Sequence, residues 1–137
     1  MSKILIIGLP GSGKTTLAKN ILSFLNADWL NADVVRKKFK DWDFSRSGIL
    51  RQSKRMASLA KKSKKKYVVA DFVCPYEKGR KIFKPDYLIW MDTIKKGRFS
   101  TFDKTFESPK KYELVIKKRI TQKKLKTIIK DIIIKTL

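Results

Sequence analysis

Short unbroken apolar runs alternate along this chain with longer stretches whose apolar residues recur at helical spacing. Ile4-Leu5-Ile6-Ile7 is a buried strand by that pattern, and Leu17, Ile21, Leu22 and Leu25 put a helix over Thr15 to Phe24. A short second strand falls near Asp28-Trp29-Leu30. Residues 46 to 63 read as a longer helix facing inward through Leu50, Met56, Ala57, Leu59 and Ala60. Tyr67-Val68-Val69-Ala70 and Tyr87-Leu88-Ile89-Trp90-Met91 are further strands, and Tyr112-Glu113-Leu114-Val115-Ile116 is a fifth. Ile120 to Leu137 closes the chain as an amphipathic helix, with Leu125, Ile128, Ile129, Ile132 and Ile133 on one side and Lys123, Lys124, Lys126 and Lys130 on the other. Strands that alternate with helices predict an α/β fold in three layers, a five-stranded parallel sheet with helices on both faces.

The residues between the first strand and the first helix turn this fold toward chemistry. Gly8-Leu9-Pro10-Gly11-Ser12-Gly13-Lys14-Thr15-Thr16 contains a complete G-x-x-x-x-G-K-[ST] signature. Several backbone N–H groups must curl around one anion there, which glycine permits because it has no Cβ. Gly8, Pro10, Gly11, Ser12, Gly13, Lys14, Thr15 and Thr16 are the expected phosphate binders. Lys14 reaches the outer phosphates, the Thr15 hydroxyl ligates Mg²⁺, and the helix that starts here adds its positive dipole end.

Ligands of such sheets lie beyond the carboxyl ends of the strands. Polar candidates there are Asp33 with Arg36 after the second strand, Asp71 after the third and Asp92 after the fourth. A carboxylate so placed holds Mg²⁺, directly or through water, or takes the proton of an attacking hydroxyl; aspartate is also a common helix N-cap. The chain has no histidine, so general-base work falls to a carboxylate.

Length and composition set the bounds. With 137 residues and 42% hydrophobic content, one domain over residues 1–137 is expected. Cys74 stands alone, which excludes an internal disulfide, and no apolar stretch approaches the ~20 residues of a membrane span. A cytoplasmic protein without a membrane partner is the expectation. The net charge of +22 points to polyanions, yet 27 of the 34 cations are lysine and they are scattered, without interleaved aromatics. A solvated basic surface with weak, non-specific nucleic-acid binding fits that pattern better than sequence reading does.

Taken in order, the motifs resemble those of the adenylylsulfate kinase family, P-loop enzymes that phosphorylate the 3′-hydroxyl of adenosine 5′-phosphosulfate (APS) with MgATP. The family's loop is matched through Thr16-Leu17-Ala18 and its Leu-Asp-Gly-Asp-x-x-Arg by Leu30-Asn31-Ala32-Asp33-Val34-Val35-Arg36. Its Gly-Phe-Ser is matched by Asp43-Phe44-Ser45, and its Ser-Phe-x-Ser-Pro-Tyr-Arg-x-x-Arg by residues Asp71 to Arg80. Met91-Asp92-Thr93 and Ser108-Pro109 follow in the family's order. The resemblance implies ATP and Mg²⁺ as cofactors, Lys14 and Asp33 as catalytic residues, and Asp33, Arg36, Phe44, Arg51, Gln52, Phe72, Pro75 and Arg80 around the acceptor nucleotide. Phe44 and Phe72 sandwich the acceptor's base in that reading, and Mg²⁺ sits on Thr15 with Asp33 or Asp71 reaching it through water.

The chain departs from the family on the acceptor side. Asp-Arg after Phe-Ser is replaced by Gly48-Ile49, so that Arg51 and Gln52 stand in from the same helix turn. An arginine of the Pro-Tyr-Arg segment is Glu77, and the region between Asp92 and Ser108 is a shortened lid carrying Lys95, Lys96, Arg98 and Lys104. The expected function is therefore an adenylylsulfate kinase-like phosphotransfer. The alternatives are a P-loop kinase of another acceptor, such as a polynucleotide 5′-hydroxyl, and a non-catalytic ATP-binding module.

Overall fold

A computed structural model describes residues 1–97 and 102–137. Strands β1 (Ser2–Gly8), β2 (Ala27–Asn31), β3 (Tyr67–Asp71), β4 (Tyr87–Met91) and β5 (Leu114–Ile116) form one parallel sheet in the order β2-β3-β1-β4-β5. Successive side chains of a strand point to opposite faces, and the continuous apolar runs feed two cores at once. On one face Ile4, Ile6, Val69 and Ile89 meet Leu17, Ala18 and Ile21 of α1 (Lys14–Leu22) and Leu125, Ile128, Ile129 and Ile132 of α5 (Gln122–Lys135). On the other, Leu5, Ile7, Val68, Ala70 and Leu88 meet Val35 of α2 (Ala32–Phe39), Met56 and Ala60 of α3 (Arg46–Lys61) and Phe83 of α4 (Glu77–Phe83). The three-layer α/β architecture read from the periodicity is the one observed.

Local chemistry sets the helix ends. Asn31, Ser45 and Thr121 each accept a hydrogen bond from a first-turn amide, of Val34, Gly48 and Lys124, at 3.1–3.2 Å. Helices α2 and α4 escaped the sequence reading. The first is only eight residues long and exposes Val34 and Phe39, whereas α4 is seven residues long and carries Gly79. A Cβ at Gly79 would stand 2.7 Å from Ser53 Oγ, so glycine is what lets α4 approach α3. Two faces are also corrected. Helix α3 buries Ile49, Gln52, Ser53, Met56 and Ala60, while Leu50, Ala57 and Leu59 are only half-buried, and Ile133 of α5 is exposed. No helix among the described residues is long and apolar enough to cross a membrane.

Candidate active site

The phosphate loop leaves β1 at the point where the strand order reverses, as ligand loops of open α/β sheets do. Gly8 packs so closely that a Cβ would lie 2.8 Å from the Met91 carbonyl oxygen and 2.6 Å from Ser12 Oγ. Gly13, at φ +100°, caps α1 in the left-handed region and offers no side chain to the first-turn amides. The N–H groups at the start of α1 therefore have no carbonyl below them and face the loop. Ser12 Oγ is buried without a hydrogen-bond partner among the described residues. Its carbonyl accepts from Thr93 Oγ1 at 2.7 Å, which ties the loop to the end of β4. Lys14 is buried and donates to the Leu9 carbonyl at 3.0 Å, folded back across the loop. Helix-end amides, a buried ammonium and an orphaned hydroxyl make a donor set that fits a polyphosphate.

Beside the loop, Asn31 and Asp71 are register partners on β2 and β3 and share a face. Asp71 Oδ1 accepts from Thr15 Oγ1 at 3.2 Å and from Asn31 Nδ2 at 3.1 Å, and Asp71 Oδ2 accepts from Trp29 Nε1 at 2.6 Å. The carboxylate is 2% exposed. Burial pushes its pKa above the ordinary carboxylate value, and the three hydrogen bonds and the Lys14 charge oppose that rise. A hydroxyl and a carboxylate side by side next to a phosphate loop are hard oxygen donors of the kind Mg²⁺ takes.

A cleft of about 210 Å³ opens from this corner, walled by Lys14, Thr15, Asp71 and Asn31 at one end and by Phe44, Ile49, Phe72, Val73, Pro75 and Phe102 at the other. Pro10, Gly11, Asp33, Arg36 and Gln52 also line it, whereas Gly8, Ser12, Gly13 and Thr16 lie in the loop and first turn away from its wall. Asp33, exposed in the first turn of α2, makes no hydrogen bond to a described residue. Arg36 is 5% exposed; its Nη1 donates to the Asp41 carbonyl at 2.9 Å and its guanidinium lies 4.5 Å from the Phe44 ring. Burial lowers its pKa against the pull of Asp41, yet it stays charged. Gln52 is spent on the Ala32 carbonyl (3.3 Å) and Arg55 (2.7 Å).

Two expected anion-binding arginines are not brought to this cleft. Arg51 turns outward and bridges Asp41 (2.8 Å) and Asp43 (3.0 Å). Arg80 is buried in a loop clamp, donating to the carbonyls of Cys74 (3.0 Å), Pro75 (3.4 Å) and Glu107 (2.5 Å) and pairing with Glu77 (2.5 Å). Glu77 is thus the partner of that clamp. Phe44 and Phe72 both line the cleft, but their ring partners are Phe102 at 5.8 Å and Phe83 at 6.0 Å. Asp92 lies 3.6 Å from Lys95, and Arg98 is outside the described residues. Sequence reasoning missed Trp29, whose signal was its place two residues before Asn31 on the same strand face. It also missed Phe102, an aromatic within the lid segment.

Sheet order and the loop after β1 together define a P-loop kinase fold. Residues 4–81 match the model of a family described as an AAA domain, and the chain belongs to that family. In structure it is similar to the APS kinase CysC of Mycobacterium tuberculosis in complex with AMPPNP and APS. The TM-score is 0.78 at 16% identity, over 98% of this chain and 96% of that one. It is also similar to a gluconokinase from Sinorhizobium meliloti 1021 (TM-score 0.65, 14% identity, 98% and 91% covered). A shikimate kinase from Acinetobacter baumannii in complex with shikimate aligns with a TM-score of 0.58 at 13% identity, 97% and 91% covered. At these identities the likeness is one of fold. No curated protein matches the chain in sequence.

Proposed function

We propose that this chain transfers the γ-phosphoryl group of MgATP to a hydroxyl of a small acceptor bound in the cleft. The observation that carries the reading is the convergence of the α1 N-terminus, the Thr15–Asp71 pair and Asp33 on one cavity. The loop amides and Lys14 bind the phosphates and stabilise charge that grows on the transferring group, the largest catalytic term in phosphoryl transfer. Thr15 and Asp71 would hold Mg²⁺, which supplies charge neutralisation when bound. Asp33 accepts or orients the proton of the acceptor hydroxyl.

Motif order favours APS as the acceptor, with Asp33, Arg36 and the aromatic wall for the hydroxyl, the anion and the base. A second reading is an acceptor without a tightly gripped anion, because Arg51 and Arg80 are both committed elsewhere. ADP release measured with MgATP against APS, ribonucleosides, shikimate and a 5′-hydroxyl oligonucleotide separates the two. APS turns over best under the first reading and a ribonucleoside under the second. In either case Lys14→Ala lowers kcat by ~10² or more with an unchanged melting temperature. Full turnover by Lys14→Ala overturns the phosphate-loop assignment.

A further inference from the structure

The carboxylate at the end of β3 is held by more than the proposed metal site uses. In the parallel register Asn31 faces Asp71 directly, and Trp29 stands on the same face, diagonal to it. That register explains the contacts: Asn31 Nδ2 reaches Oδ1 at 3.1 Å and Oδ2 at 3.4 Å, and the indole N–H reaches Oδ2 at 2.6 Å. Both oxygens are thereby fixed: Oδ2 faces the indole, and Oδ1, held by Asn31, is the atom turned to Thr15 Oγ1, which Asn31 Nδ2 itself reaches at 3.4 Å. A buried carboxylate is costly unless its lone pairs are filled, and an apolar residue at position 71 would serve the core better. β2 spends two same-face positions on neutral donors aimed at one acidic group. Neutral donors fix the orientation of a carboxylate without cancelling its charge toward a cation.

We infer that Trp29 and Asn31 are positioning residues that lock Asp71 with Oδ1 toward Thr15, so that the pair meets the metal of MgATP in one pre-set geometry. This rests on the kinase reading above. Trp29→Phe is the probing change, since it keeps a half-buried ring against the α1-side core and deletes one N–H. Asn31→Ser is the second probe, because serine retains an N-cap oxygen for α2 but is too short to keep the amide's reach to Asp71.

The test is calorimetric titration of ATP into the whole chain, in Mg²⁺ and in EDTA, beside thermal melting and steady-state rates. In Trp29→Phe the Mg²⁺-dependent gain in ATP affinity should fall about ten-fold, the size seen when outer partners of metal ligands are lost. The affinity in EDTA and the melting temperature should match wild type, and kcat should fall while the acceptor KM does not move. An undiminished Mg²⁺-dependent gain overturns the inference, as does an equal loss with and without Mg²⁺, which marks a packing defect. If Trp29→Phe does not fold, the same comparison in Asn31→Ser decides. Failure of the wild-type chain to bind ATP in either buffer would overturn the kinase reading instead.

Discussion

Arginine is the residue type whose role here depends most on what surrounds it. Arg36, Arg51 and Arg80 were equivalent on paper as planar forks for an anion. Only Arg36 borders the cleft; Arg51 closes a surface ion-pair cluster with Asp41 and Asp43, and Arg80 gathers three carbonyls and a carboxylate behind the cleft wall. Steady-state kinetics should therefore find the acceptor KM of Arg51→Ala within about two-fold of wild type, since an exposed pair contributes little beyond its own loop. Arg80→Ala should destabilise by about 3 kcal/mol in urea unfolding, because it orphans buried carbonyls. Cys74 follows the same logic of surroundings. It lines the cleft yet is 2% exposed, and burial pushes its thiol pKa up to about 12. The thiol is the protonated, unreactive form at neutral pH, so a thiol reagent should label it at pH 7.5 only in denaturant. Rapid labelling of the native chain would contradict the buried placement.

Elements were legible in proportion to how much of their own length carried their pattern. The strand Tyr87–Met91 coincides with its apolar run, and α1 and α5 are found within two residues of their periodic stretches, because core burial rewards the periodicity along the whole element. Short α2 is capped by Asn31 and α4 has no side-chain cap, so both lean on tertiary packing, and two turns or so of helix are too short to declare themselves as a period. The loop between β1 and α1 was legible as an element, since its signature is written at fixed spacing between a strand and a helix. The cleft could not: Phe102 comes from 58 residues beyond Phe44 to meet it, a pairing that only the fold supplies. At this scale α5 offers the cleanest check. Ile132 is fully buried between the helix and the sheet, and Tyr87 on β4 donates to Asp131 one residue earlier. Ile132→Ala should cost about 2–5 kcal/mol in urea unfolding. Ile134→Ala, at a position 68% exposed, should stay within about 0.5 kcal/mol of wild type.

For the molecule as a whole, the excess of 34 cations over 12 acids is far more than one nucleotide pocket needs. The fold distributes that charge: the apolar stripe of α5 faces the sheet, leaving Lys123, Lys124, Lys126 and Lys130 exposed. Between Leu114 and Lys130 no acidic residue interrupts the series Lys117, Lys118, Arg119, Lys123, Lys124, Lys126 and Lys130. Such a surface attracts any polyanion through counterion release, without reading its sequence. Lysine, a strongly hydrated point charge on a flexible stem, is less suited than arginine's planar fork to bidentate base contacts. Fluorescence anisotropy with unrelated duplexes of equal length should therefore give matching, weak affinities that fall steeply from roughly 50 to 200 mM salt. Reversing the four α5 lysines to glutamate should flatten that salt slope while leaving ADP release unchanged, because the helix covers the sheet away from the cleft. A complex that survives 200 mM salt and prefers one sequence would show that these lysines form a specific interface. Loss of ADP release in the charge-reversed chain would show instead that the basic face gathers the nucleotide itself.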